Sequence, residues 1–163
     1  MKKIFFMTFI LAAAFLLTGQ ISLAQNNAEA EYDKYIALLR KDLRSDKKQF
    51  IAMNMELTDA EATKFWPIFD KYTADQGKLF DTRIALIKEY GANYEKMTNI
   101  TAARLTQRNI ALDQSQTALR LRYVPIVAKA LPGKKSALFF QLDKRIGLLI
   151  DLQIASEIPL VDQ

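Results

Sequence analysis

Apolar residues recur at three- and four-residue steps along most of this chain, the spacing that lines one face of an α-helix, and strand-like alternation is absent. The first such run extends from Glu31 to about Asn54. Tyr32, Tyr35/Ile36, Leu39 and Leu43 form one stripe, and Phe50, Ile51 and Met53/Met55 continue it, with the polar cluster Arg44–Lys48 marking a break or bend between them. The second run has the clearest start. Leu57, Thr58 and Glu61 form a helix-capping motif in which the Thr58 hydroxyl accepts from the amide three residues on and the Glu61 carboxylate reaches back. Phe65, Phe69, Tyr72, Leu79, Ile84 and Ile87 then carry a helix to Tyr90, with Gly91 as its stop and Pro67 as a kink inside it.

A third helix is predicted from Thr98 through Leu105, Leu112, Leu119, Tyr123 and Ile126 to about Leu131, bent near Pro125. Leu131-Pro132-Gly133 makes a tight connection into a fourth. That helix carries Leu138, Phe139, Leu142, Ile146, Leu149, Leu152 and Ile154 and ends before Pro159. Short connections make successive helices antiparallel neighbours. The expected fold is therefore all-α, four helices in elongated antiparallel hairpins. A coiled-coil reading applies to the second and third helices, although the heptads on their apolar stripes are not strict.

The N-terminus has a separate pattern. Lys2 and Lys3 precede an apolar run from Ile4 to Leu17, and Ser22-Leu23-Ala24 places small residues before Gln25. This is the layout of a cleavable secretory signal peptide over residues 1–24, cut between Ala24 and Gln25. A membrane anchor would need ~20 apolar residues, and no second stretch is long enough to span a membrane. The domain plan is then a signal peptide over 1–24, a flexible mature N-terminus over 25–30, a single helical domain over 31–158 and a tail over 159–163. The expected address is the periplasm.

Composition narrows the chemistry. Cleavage would leave 139 of the 163 residues and take away two lysines and no acid, lowering the net charge from +5 to +3. Export removes nucleic acid as a partner, and the mild positive charge suits acidic lipid, polysaccharide or polypeptide as well as an ordinary surface. Cysteine and histidine are both absent. That excludes lipid attachment at a lipobox cysteine, disulfides, thiol nucleophiles, thiolate or imidazole metal ligands and the commonest general base. No cation-binding loop, phosphate loop or nucleophile elbow is visible. The chain reads as a non-enzyme without catalytic, metal or cofactor residues.

Two features remain as candidate partner-binding elements. Phe65-Trp66-Pro67-Ile68-Phe69 is more apolar than one helix face can bury. It reads either as a two-sided core or as an exposed patch in which Phe65, Trp66 and Phe69 meet another chain. A basic series includes Arg104, Arg108, Arg120 and Arg122, readable as a solvated face or as a surface for acidic partners; Arg104 and Arg108 are like-charged neighbours one turn apart.

At Leu57-Thr58-Asp59-Ala60-Glu61 the chain resembles the Spy/CpxP-type family of periplasmic proteins with its "LTxxQ" motif, Glu61 standing where the family usually has Gln. Where that family has a second motif, this chain has Leu131-Pro132-Gly133-Lys134-Lys135, in which only the leucine agrees. It is also similar to exported bacterial helical proteins sharing Phe65-Trp66-Pro67 and the ending Ile158-Pro159-Leu160-Val161, a likeness that implies no activity. The Spy-like resemblance implies a thin helical cradle, often a homodimer. It further implies nucleotide-independent protection of unfolded proteins or a role in envelope stress, with protein clients or an envelope protein as partner. An alternative is a structural or regulatory subunit with one specific partner.

Overall fold

The computed structural model describes residues 46–161. The chain divides into two units, Met1–Ser45 and Asp46–Gln163. The predicted signal peptide, its Ala24/Gln25 junction, the 25–30 segment and the stripe from Tyr32 to Leu43 all lie outside the described residues. So do the last two residues of the tail.

The described part is all-α. It comprises α1 (46–55), α2 (Asp59–Asn93), a 3-10 turn (Tyr94–Lys96), α3 (Asn99–Ala130) and α4 (Gly133–Glu157). Among these residues no helix is long and apolar enough to cross a membrane. Residues 46–48, the described part of the predicted break, are helical.

Local chemistry explains the boundaries. The Thr58 hydroxyl accepts from the Glu61 amide, and the Glu61 carboxylate accepts from the Thr58 amide at 2.8 Å, so the predicted capping box is present. At α3 the Thr98 hydroxyl accepts from the Thr101 amide at 3.1 Å. Gly91 does not stop α2, which continues to Asn93. A glycine ends a helix by adopting a left-handed φ, and no described glycine has a positive φ. Pro67 and Pro125 both lie within helices. Pro132 is the N-cap of α4, one residue before its first turn.

Side-chain pairs fix the helix directions. Glu89 meets Arg104 and Arg108, Arg83 meets Asp113, Asp75 meets Arg122, and the Tyr72 and Tyr123 rings are 5.0 Å apart. Partner numbers fall on one helix as they rise on the other, so α2 and α3 are antiparallel. On α4, by contrast, Phe139 meets Phe65 and Asp151 meets Arg83. The fourth helix therefore runs parallel to α2 and antiparallel to α3. The Tyr90 and Tyr94 hydroxyls then donate to the carbonyls of Pro159 and Leu160.

The main core gathers Ile51 and Met55 from α1, Phe65, Phe69 and Tyr72 from α2, Leu119, Tyr123 and Val127 from α3, and Phe139 and Leu142 from α4. A smaller cluster of Leu86, Leu105 and Leu112 lies toward the α2–α3 turn. Several predicted core positions are corrected. Leu86 is buried in place of Ile84 and Ile87, and Val127 in place of Ile126. Leu149 and Leu152 are exposed, although they continue the apolar run of α4. The inward line through Phe139, Leu142 and Ile146 advances to the half-buried Ile150 and Ile154 at helical steps, which turns Leu149 and Leu152 away.

Candidate functional site

Asp143 is the only acid among the described residues to be buried, at 1 % exposure. It stands on α4 beside Leu142, facing the junction of all four helices. Its carboxylate accepts from Lys47 Nζ of α1 at 2.5 Å, the Tyr72 hydroxyl at 2.7 Å and Gln76 Nε2 at 3.1 Å, both of α2, and Arg120 Nε of α3 at 3.2 Å. The Lys47 ammonium also donates to Gln76 Oε1 at 2.7 Å. One side chain thus receives donors from three other helices.

The electrostatics follow from this geometry. Burial alone would raise the Asp143 carboxyl, but the charge and hydrogen bond of Lys47, with donors from Tyr72 and Gln76, outweigh it and hold the group below the usual carboxylate range. Burial pushes the Lys47 ammonium down, Asp143 opposes that, and the nearby Arg120 charge adds to the lowering. The Tyr72 hydroxyl is pushed up by burial and by the adjacent carboxylate, so it remains a donor. Two cations surround one anion. The carboxylate has a donor on every side and is enclosed by protein, an arrangement suited to fixing helices together.

The predicted partner-binding residues separate into different environments. Phe65 and Phe69 are fully buried, so they are not available to a partner on the surface. They stack edge-on against Phe139, with Phe65 at 5.1 Å between centroids. The exposed-patch reading is thereby corrected for both: the two-sided environment is the junction of α1, α2 and α4. Trp66 is half-buried against that core, its ring 5.4 Å from Phe69, and Lys48 Nζ lies 5.2 Å from the Trp66 centroid.

The arginines do not form one patch. Arg104 and Arg108 both reach Glu89 across the hairpin, which relieves their mutual repulsion and holds Glu89 below the usual carboxylate range through those two hydrogen bonds. Arg120 turns inward to Asp143. Arg122 meets Asp75, which also accepts from Lys78 and the Tyr123 hydroxyl. The capping residue Glu61 has a second role: it pairs with Lys135 of α4 at 2.6 Å, and that hydrogen bond is the main cause of its lowered pKa. Among the described residues, no group of three or more acids is placed to hold a metal ion.

The surface feature missed by sequence reading lies on the outside of α3. Ile100, Ala103, Gln107, Ile110, Gln114, Thr117, Leu121, Val124 and Ala128 are all exposed. They follow one another at strictly alternating steps of three and four, and none is charged. This is the a/d spacing of a helix-pairing seam, on the face opposite the core residues Leu105, Leu112 and Leu119. The spacing was readable in the sequence, but the bulkier leucines of the buried stripe mask it, and two of its positions are glutamine. Comparison with protein-family models, curated proteins and solved structures finds no match to this chain.

Proposed function

We propose that this protein is an exported, periplasmic, non-enzymatic binding protein that engages other polypeptides along the outer face of α3. The observation that carries this reading is the seam itself: nine exposed, uncharged positions at alternating three- and four-residue steps. Ile100, Ile110, Leu121 and Val124 offer apolar contact along it, and Gln107 and Gln114 offer amide donors and acceptors. Such a face suits the apolar side of an amphipathic helix or a partly folded chain. The N-terminal pattern of residues 1–24 supports export, and the Spy/CpxP likeness at Leu57–Glu61 supports a chaperone-like or envelope-stress role. The candidate partner-binding surface accordingly moves from Phe65 and Phe69 to the α3 seam.

The test is suppression of aggregation of a reduced, unfolding client without nucleotide, comparing the wild type with Ile110→Asp and Leu121→Asp. The expected result is suppression by the wild type and its loss in both variants, with helix content unchanged by circular dichroism. No suppression at several-fold molar excess sinks the general chaperone role. The regular seam also favours a second reading, a dedicated helical partner. That reading predicts one tight complex on pulldown, lost in the same variants, and no effect on unrelated clients.

A further inference from the structure

We propose that a second surface, the outward face of α4, docks on an anionic lipid bilayer. Leu148, Leu149 and Leu152 are exposed by 52 %, 68 % and 69 % on this helix. Leu148 lies nine residues beyond Phe139, hence about 180° around the helix from the core at about 100° per residue. Lys134, Lys144 and Arg145 are exposed on the same outward side and make no ion pair with another described residue.

The acids of α4 are directed elsewhere. Asp143 is buried, Asp151 is paired with Arg83, and Glu157 falls at the angular position of Phe139. The face is therefore cationic toward the start of the helix and leucine-rich toward its end, and the one acid at its edge, Asp151, is already paired with Arg83. By contrast, Arg104, Arg108, Arg120, Arg122 and Lys135 all have carboxylate partners within the fold.

This charge distribution selects the occupant. A second copy docking through the same face would bring six cations together, offset only by the two Asp151 carboxylates at the edges, each already paired with Arg83. An anionic headgroup layer supplies the missing charge, while leucines entering the acyl boundary lose contact with water. Lysine and arginine side chains are long enough to remain at headgroup level while the leucines go deeper. The leucines also project from the convex exterior of one helix. A bilayer surface accepts such a shape without the walls of a groove.

The experiment is co-sedimentation with vesicles of phosphatidylglycerol and phosphatidylcholine, against vesicles of phosphatidylcholine alone. The chain and its variants are compared in the same processed form. Expected are binding to the anionic vesicles only, weakening with added salt, and a loss of about tenfold or more in K144E/R145E. L148Q/L152Q loses binding as well, whereas Ile110→Asp on the α3 seam binds as the wild type does. Because all four α4 positions are exposed, unchanged circular dichroism separates lost binding from lost folding. Equal binding to neutral vesicles, or wild-type binding by K144E/R145E, overturns the proposal. It is also overturned if these substitutions instead abolish a concentration-dependent dimer, or if poly-glutamate binds the wild type more tightly than the anionic vesicles do.

Discussion

The two ends of the helical unit are held together by different physics. Around Phe65, Tyr72 and Phe139, residues from α1, α2, α3 and α4 enclose an aromatic core, with Asp143 and its donors at its edge. Around Leu86, Leu105 and Leu112 the core is three leucines, with Leu79, Tyr90 and Met97 packed beside them. There, charges on the flanks supply the register: Arg83 to Asp113 and Asp151, and Glu89 to Arg104 and Arg108. Packing is short-ranged and demands shape, so it defines one arrangement at the first end. Ion pairs that keep at least one partner in contact with water tolerate adjustment and weaken with salt, so they align the second end without making it rigid. A long helical hairpin can thus be anchored at one end and left adaptable toward its turn.

The sharpest way to break this contrast is Asp143→Ala. Lys47 and Arg120 would remain partly buried without their anion, and the Tyr72 hydroxyl would lose its acceptor. The expected loss is about 3–5 kcal/mol in urea unfolding, with Asp143→Asn milder because it retains one acceptor oxygen. The native Asp143 carboxyl is held below its ordinary value, so the unfolded chain binds its proton more readily. Its contribution is fully present above the ordinary carboxylate range and is lost as pH falls through the native value. The gap between the wild type and Asp143→Asn should therefore close in acid.

The next comparison sets Phe69→Ala against Leu112→Ala. Phe69 touches the rings of Phe65, Trp66 and Phe139, and its truncation should cost about 3–5 kcal/mol. Leu112→Ala should fall near 2 kcal/mol, the low end of its class, because the thinner cluster can close around the gap. Equal costs in urea unfolding would show the two ends to be packed alike.

The smallest effect is expected when Arg104 and Arg108 are both replaced by alanine. Both side chains are nearly half exposed, so the urea midpoint at neutral pH should scarcely move. Glu89 is depressed in the native state by these two arginines. Whatever difference exists should therefore vanish as pH falls below the carboxylate range, and with added salt. A large, salt-resistant loss would mean that the turn end is more rigid than its packing implies.

Much of this architecture was legible in the sequence. Thr58 with Glu61 announced the start of α2, because a capping box is local and needs only its own four residues. The Leu131-Pro132-Gly133 connection and the end of α4 before Pro159 were equally local. What was not legible depends on facing. Leu149 and Leu152 look like core residues, and whether they turn inward depends on the neighbours that Phe139 and Leu142 choose. Lys47 sits in a polar cluster that reads as a break, yet its ammonium finds Asp143 96 residues away. Phe65 and Phe69 are as apolar as a binding patch, and only the arrival of Phe139 makes them core. Composition shows that such residues need a partner; topology decides whether that partner lies within the chain.

Lys135 carries a last consequence. Its ammonium donates to the Glu56 carbonyl at 2.8 Å, 79 residues away, as well as to Glu61. Glu56 has a φ of 44°, in the left-handed region that non-glycine residues rarely occupy. The capping box can form as soon as α2 does, but this strained hinge gains its support only when α4 has docked. Hydrogen exchange at the amides that follow Glu56 would therefore report on the attachment of a helix that begins more than seventy residues later. The bend between α1 and α2 is in this sense a local gauge of whether the whole unit has closed.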